Sequence, residues 1–263
     1  MIGCPACDSG LDMTEVIDPE NTPGYRRRIA IEPAPGSVTA ELEDDYHRMV
    51  VTLSHKDGVI TAISSEMKRS PWTTCEGAMA VLQDTFVGKR LDDPSVKRVK
   101  SLNCTHLYDL ASFCVAHASM PDRLTFDIFT SDPVDGVVCT RLYRNGERLL
   151  DWRLESGKFA KPEEVAGKGL LEINGWLAEL DVQDPALGEA ARILRWASMI
   201  AGGRAISMPA GMSGSAIGMV GTCHTFQPET AKLARRKPGA DLDFSGDEIA
   251  GPMADREDLF AGF

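Results

Sequence analysis

The chain has 263 residues, 43% apolar and 25% charged, with a formal net charge of −11 from 28 basic and 39 acidic side chains. That is the composition of a globular protein long enough to bury a sizeable core. It holds no run of about 18 apolar residues to span a membrane. It has no basic, apolar start of the secretory kind, and its acidity argues against nucleic acid or an anionic membrane as partner. The seven cysteines are an odd number with no export signal, which points to reduced thiols in the cytoplasm.

Residues 1–24 read as an irregular leader rich in Pro and Gly. Tyr25 to Pro33 reads as a short strand broken at Pro33-Ala-Pro-Gly36. Met49, Val51 and Leu53 recur at period two, so 45–54 reads as a half-buried strand. His55-Lys-Asp-Gly58 supplies a hairpin turn, with a second strand over 59–65. Thr73 and Thr74 are candidate N-caps for a helix over 76–86, closed by Gly88. Asn103 is the candidate cap of a second helix with Leu107, Leu110, Ala111 and Cys114 inward. Strands follow at 124–130, 137–143 and 148–155, with Asp135-Gly136 and Asn145-Gly146 as turns. Helices are predicted over 169–180 and 186–201, a Gly/Ser/Met-rich loop over 202–223, and a polar, acidic, loosely attached tail from Lys237 onward.

Three short motifs carry groups able to do chemistry. Glu43-Asp44-Asp45-Tyr46-His47 places carboxylates beside an imidazole, which suits a metal or a charge-tuned general base; the alternative is an acidic, solvated strand entrance. In Arg69-Ser-Pro-Trp72-Thr73-Thr74-Cys75 the cysteine falls in a first helical turn, where unpaired N–H groups stabilise a thiolate or an anion. A buried filler residue is the alternative. In Cys104-Thr105-His106-Leu-Tyr-Asp109 the histidine and aspartate share a helix face, so the carboxylate can orient the imidazole; a capping network without chemistry is equally consistent. Cys4-Pro-Ala-Cys7 is half of a zinc-knuckle spacing with no second pair.

These ordered motifs resemble the uncharacterised bacterial family DUF2889. Arg27-Arg28, Asp151-Trp152, Arg192–Arg204 and Cys223-His-Thr-Phe-Gln-Pro228 fit its pattern as well, over about residues 26–246. Residues 43–118 are also distantly similar to NifU-type iron–sulfur scaffolds, with Asp45, Cys75 and Cys104 standing where that scaffold has an Asp and two of its three cluster cysteines. Near Glu43 the third cysteine is replaced, which counts against a cluster.

The resemblance implies an α+β fold: an antiparallel sheet packed by helices, with a SufE/NifU-like core (43–118) and a C-terminal α/β extension (119–246). It makes 25–246 a single domain and 247–263 a polar tail. It also implies one pocket where the three motifs meet. Members of the family accompany aromatic and lignin-derived catabolism, so the expected activity is a cofactor-independent lyase. Such an enzyme would cleave a carbon–carbon bond by acid–base chemistry, for example releasing formaldehyde from a phenolic dimer. His47 would take the hydroxyl proton, with Asp45 or Glu43 raising its basicity. His106, held by Asp109, would act as acid or bind the phenolate. Arg69, Trp72, Thr74, Cys75 and Cys104 would bind substrate, with Met208, Met212 and Met219 as an apolar wall. The alternative is a metal-binding or iron–sulfur-related protein using Asp45, Cys75, Cys104 and His106. A further alternative is an accessory subunit without catalysis. The extension could instead serve a homodimer.

Overall fold

The computed structural model describes residues 22–95, 99–246 and 249–260. Period-two alternation builds the first half of the sheet. Strands β1 (Gly24–Ala34), β2 (Ser37–Asp44), β3 (Arg48–Lys56) and β4 (Val59–Arg69) form an antiparallel meander. Its register aligns Ile29, Leu42 and Met49 in one row and Ile31, Ala40 and Val51 in the next. All six are buried on the face that carries the helices. Asp57 and Gly58 both adopt positive φ (52° and 77°), the backbone of a tight hairpin turn whose twist matches its strands.

A second meander follows: β5 (Leu124–Ser131), β6 (Val137–Arg144), β7 (Glu147–Glu155) and β8 (Lys158–Lys161). β1 joins the two halves by pairing antiparallel with β5, from Gly24 opposite Ser131 to Ile31 opposite Leu124. The result is one eight-stranded sheet of order β4-β3-β2-β1-β5-β6-β7-β8.

Helix α1 (Ala78–Phe86) packs on β4 and α2 (Thr105–Ala116) on β2 and β3. Helices α3 (Asn174–Gln183) and α4 (Pro185–Ala201) pack on each other, and α4 covers β5 to β7. Ala190, Ala191, Leu194, Ala197 and Ala201 make the buried, mostly alanine stripe by which α4 packs. Asp184 caps it, accepting from the N–H groups of Ala186 and Leu187 at 3.1 and 3.0 Å. A short helix α5 (Pro228–Leu233) lies in the loop-rich region after α4.

The opposite face of β1 to β3 is charged, with Arg28, Glu32, Glu41, Glu43 and Arg48. Residues 249–260 cover it. Met253 and Leu259 bury against Ala30, Arg256 pairs with Glu32 and Glu41, and the Met253 N–H donates to Glu43 at 2.6 Å.

The α+β class and the antiparallel sheet with helices are as the sequence predicts. Several particulars differ. β2 was not predicted, although Val38, Ala40 and Leu42 alternate along it. β3 starts at Arg48 rather than Asp45, because residues 44–47 form the β2–β3 turn. The helix predicted over 169–180 is Asn174–Gln183. Residues 43–118 are not a separate SufE/NifU-like unit: they supply β3, β4, α1 and α2, but their sheet continues through β2 and β1 into β5. The predicted tail is packed rather than peripheral, since Ala240, Phe244, Met253 and Leu259 are all buried. The predicted leader gives way to β1 at Gly24; Cys4 and Cys7 lie outside the described residues.

Candidate functional site

The first motif is a turn, and one carboxylate organises it. The Asp44 N–H donates to the His47 carbonyl at 2.8 Å. Asp44 Oδ1 accepts from the backbone N–H of Tyr46 and of His47, both at 2.8 Å, and from His47 Nδ1 at 3.0 Å. Its other oxygen accepts from Tyr25 Oη at 2.7 Å and from Arg27 Nε and Nη2 at 3.0 and 2.6 Å. Arg27 reaches it because β1 and β2 pair Arg27 directly with Asp44. Burial alone would raise the Asp44 pKa, but the neighbouring His47 and Arg27 outweigh it and hold the carboxyl well below the usual range.

Turn geometry sends the three following side chains in different directions. His47 stacks on His106 with ring centroids 3.9 Å apart. An ionised Asp44 accepts only from a protonated Nδ1, so the His47 lone pair sits on Nε2. Arg27 Nη2 lies 3.2 Å from His106 Nε2. A guanidinium is always a donor, so His106 accepts at Nε2 and carries its proton on Nδ1. Burial, with the Arg27 guanidinium beside it, drives the His106 pKa well below its ordinary value and keeps the ring neutral. The half-buried His106 is the solvent side of this pair.

Tyr46 stacks on Tyr25 at 6.3 Å and meets His47 edge-on at 6.2 Å. Asp45 leaves on another side and pairs with Arg204 at 2.6 Å. Burial, only partly offset by Arg204, pushes the Asp45 carboxyl up to about 7. A cavity of about 590 Å³ opens there, bounded by Asp45, Tyr46 and Arg204. Val138, Leu154, Leu170, Ala201 and Met208 form its apolar walls, and Thr130 and Ser198 add hydroxyls. His47 and His106 lie outside that lining.

The structure therefore separates the residues predicted to share one pocket. His47 and His106 meet, and Asp45 lines the cavity beyond Tyr46. Glu43 points to the opposite sheet face, where it pairs with Arg48 and Arg69, so it does not tune His47. Asp109 does not orient His106: Lys100 takes it at 2.6 Å, and Arg27 fills that place. Arg69 spends its donors on the carbonyls of Asp44 and Asp45 at 2.5 and 2.8 Å, so it fixes the turn rather than facing a ligand. Trp72 is a core residue, edge-on to Phe226 at 5.5 Å. Thr74 donates to Thr225. Cys75 accepts from Thr225 at 3.4 Å, and burial pushes its thiol pKa up. Burial does the same to Cys104. Both are protonated fillers, not helix-activated thiolates. Of the three methionines, Met208 lines the cavity.

In the sequence Arg27, Asp44 and Arg204 stand out as motif residues and Tyr25 as the start of a strand, but without an individual site role for any of them. A signal for Arg27 existed: it occupies an inward position in the alternation Tyr25, Arg27, Ile29, Ile31, where an apolar residue belongs. Among the described residues, the group whose ligand atoms all lie within 4.8 Å of one another is Asp44, His47 and His106. The predicted set of Asp45, Cys75, Cys104 and His106 does not gather in this way. Among the described residues no helix is long and apolar enough to cross a membrane. No protein-family model matches the chain, and no curated protein matches it.

Proposed function

We propose that the chain is a cofactor-independent lyase that cleaves a carbon–carbon bond by acid–base chemistry, acting on an aromatic intermediate of the lignin-derived kind in a bacterial cytoplasm. The observation that carries the acid–base part is the Asp44–His47 pair. Asp44 fixes the tautomer and leaves His47 Nε2 with its lone pair, the arrangement of an oriented general base. The aromatic substrate follows from the resemblance to DUF2889. In the favoured version His47 Nε2 takes the proton of a hydroxymethyl group and the adjacent carbon–carbon bond breaks, releasing formaldehyde. The electron pair left behind forms a carbon–carbon double bond as an aryl ether oxygen on the neighbouring carbon departs. That oxygen leaves as a phenolate, to which His106 Nδ1–H donates, and the proton on His47 returns to it. The step is redox-neutral.

The test is formaldehyde release from a panel of phenolic dimers bearing a hydroxymethyl group. His47→Ala should lower the rate by about 10²–10⁴, the usual contribution of a general base, with its thermal midpoint close to the parent's. Full activity in that variant removes His47 as the base.

A second reading is a divalent metal held by Asp44, His47 and His106, favoured by their mutual distances. Those ligand types suit zinc or non-haem iron. Arg27 counts against it, because its guanidinium already occupies Asp44 and His106 Nε2 and would repel a cation there. Elemental analysis of protein purified without a tag decides between the two. Stoichiometric zinc or iron lost in a His106→Ala variant would favour the metal.

A further inference from the structure

The cavity beside Asp45 has a shape and a polarity that select a ligand. Its volume, about 590 Å³, lies within the roughly 300–1,000 Å³ typical of small-molecule sites. Its walls are aliphatic, and its polar end is unbalanced in favour of acceptors. Among the lining residues Arg204 faces Asp45, Asp132 and Asp243, while Asp241 is paired with Arg236. Every Arg204 nitrogen is engaged: Nε and Nη2 by Asp132 at 2.8 and 3.0 Å, and Nη1 by Asp45 at 2.6 Å and Asp243 at 3.2 Å. The guanidinium thus has no donor to spare for an anionic ligand, and the surrounding carboxylates repel one. Asp45 is the opposite case. Its Oδ2 is held by Arg204, but Oδ1 receives only a long contact from the Arg26 N–H at 3.4 Å. With one long partner, that buried carboxylate oxygen keeps an acceptor position to spare.

We propose that this cavity binds a neutral, ring-sized apolar molecule through a hydroxyl group that donates to Asp45 Oδ1. The assignment is independent of the lyase reading, because binding is measured without turnover.

Two matched probes test it: biphenyl-4-methanol and biphenyl-4-carboxylate, titrated calorimetrically into the full chain at about pH 9, above the Asp45 value of about 7, so that Oδ1 is an acceptor. The alcohol should bind saturably, and the carboxylate at least tenfold more weakly. Leu170→Trp and Met208→Trp, two fillers at half-buried wall positions, should each weaken the alcohol at least tenfold while keeping the parent's thermal midpoint. Asp45→Ala should narrow the gap between the two probes. Equal or tighter binding of the carboxylate would overturn the assignment. So would alcohol binding untouched by either filler, or no saturable binding of the alcohol at its solubility limit. Alcohol binding with no formaldehyde released from any phenolic dimer would keep the cavity and remove the lyase. Formaldehyde release with no saturable binding of the alcohol would do the reverse.

Discussion

Asp44 shows how much one side chain can determine. It closes the β2–β3 turn, pairs with Arg27, receives Tyr25 and orients His47. Asp44→Asn removes the charge and leaves the Arg27 guanidinium buried without its counter-ion, a change that costs about 3–5 kcal/mol. Urea unfolding should show that loss, and circular dichroism should show the fold retained in the absence of urea. Asp45, one residue on, behaves differently. Its folded pKa of about 7 lies above the unfolded value near 3.9. Its contribution to stability is therefore fully present below about pH 4 and lost as pH rises through 7. The titratable and charged groups facing it are Arg204, Asp44, Tyr46 and Tyr25, and Asp132 and Asp243 share its Arg204 partner. Asp45→Asn should gain on the parent in unfolding free energy between pH 5 and pH 8, read from urea titrations, by about 2.6 kcal/mol, since about two units of the shift are crossed there at about 1.36 kcal/mol per unit. A gap that is constant with pH would show that Asp45 does not titrate in this range. The sequence made His47 and Asp45 legible as candidates because both sit in one conspicuous acidic motif. It could not distribute their roles, since a turn sends neighbouring side chains to separate places and the partners, Arg27 and Arg204, come from distant strands and loops.

At the scale of elements, legibility followed periodicity. Helix α4 repeats its small apolar residues at helical spacing, and its predicted span agrees with Pro185–Ala201 to within a residue at its start. Asp184→Ala should cost it about 1 kcal/mol, the usual value of an N-cap, read as a shift in urea midpoint. β2 alternates as clearly as its neighbours, yet its end merges with the acidic motif, which draws attention away from the strand. The C-terminal segment was the hardest to read. Its composition is polar and acidic, and only Met253, Leu259 and Phe260 hint at a buried side. Those few apolar residues work because the charged sheet face beneath them supplies ion-pair partners. Met253→Ala removes a fully buried side chain and should cost about 2–5 kcal/mol. Limited proteolysis should then cut within 249–260 faster than in the parent.

For the whole molecule, the decisive feature is that β1 is shared. It stands between β2 and β5 and belongs to both halves of the sheet. A piece comprising residues 43–118 lacks β1 and nearly all of β2, so β3 and the helix α2 lose the surface they pack against. Expressed alone, that piece should show no near-ultraviolet circular dichroism and no cooperative thermal transition. A cooperative transition would show that 43–118 folds without β1. The sequence could not reveal this sharing, because pairing between β1 and β5 depends on two strands far apart in the chain, and alternation within each is silent about its partner.

The shared strand also orders events during synthesis. The β1–β4 meander consists of local hairpins, so it and the Asp44 turn can form as soon as they leave the ribosome. β5 closes on β1 only after a further stretch has been made, and Arg204 emerges later still. The His47 side of the turn is therefore assembled early, from the first quarter of the chain and α2. The cavity beside Asp45 exists only when translation has passed α4. A ribosome stalled between the two would hold a nascent chain with its imidazole pair in place and nothing yet built to receive a ligand.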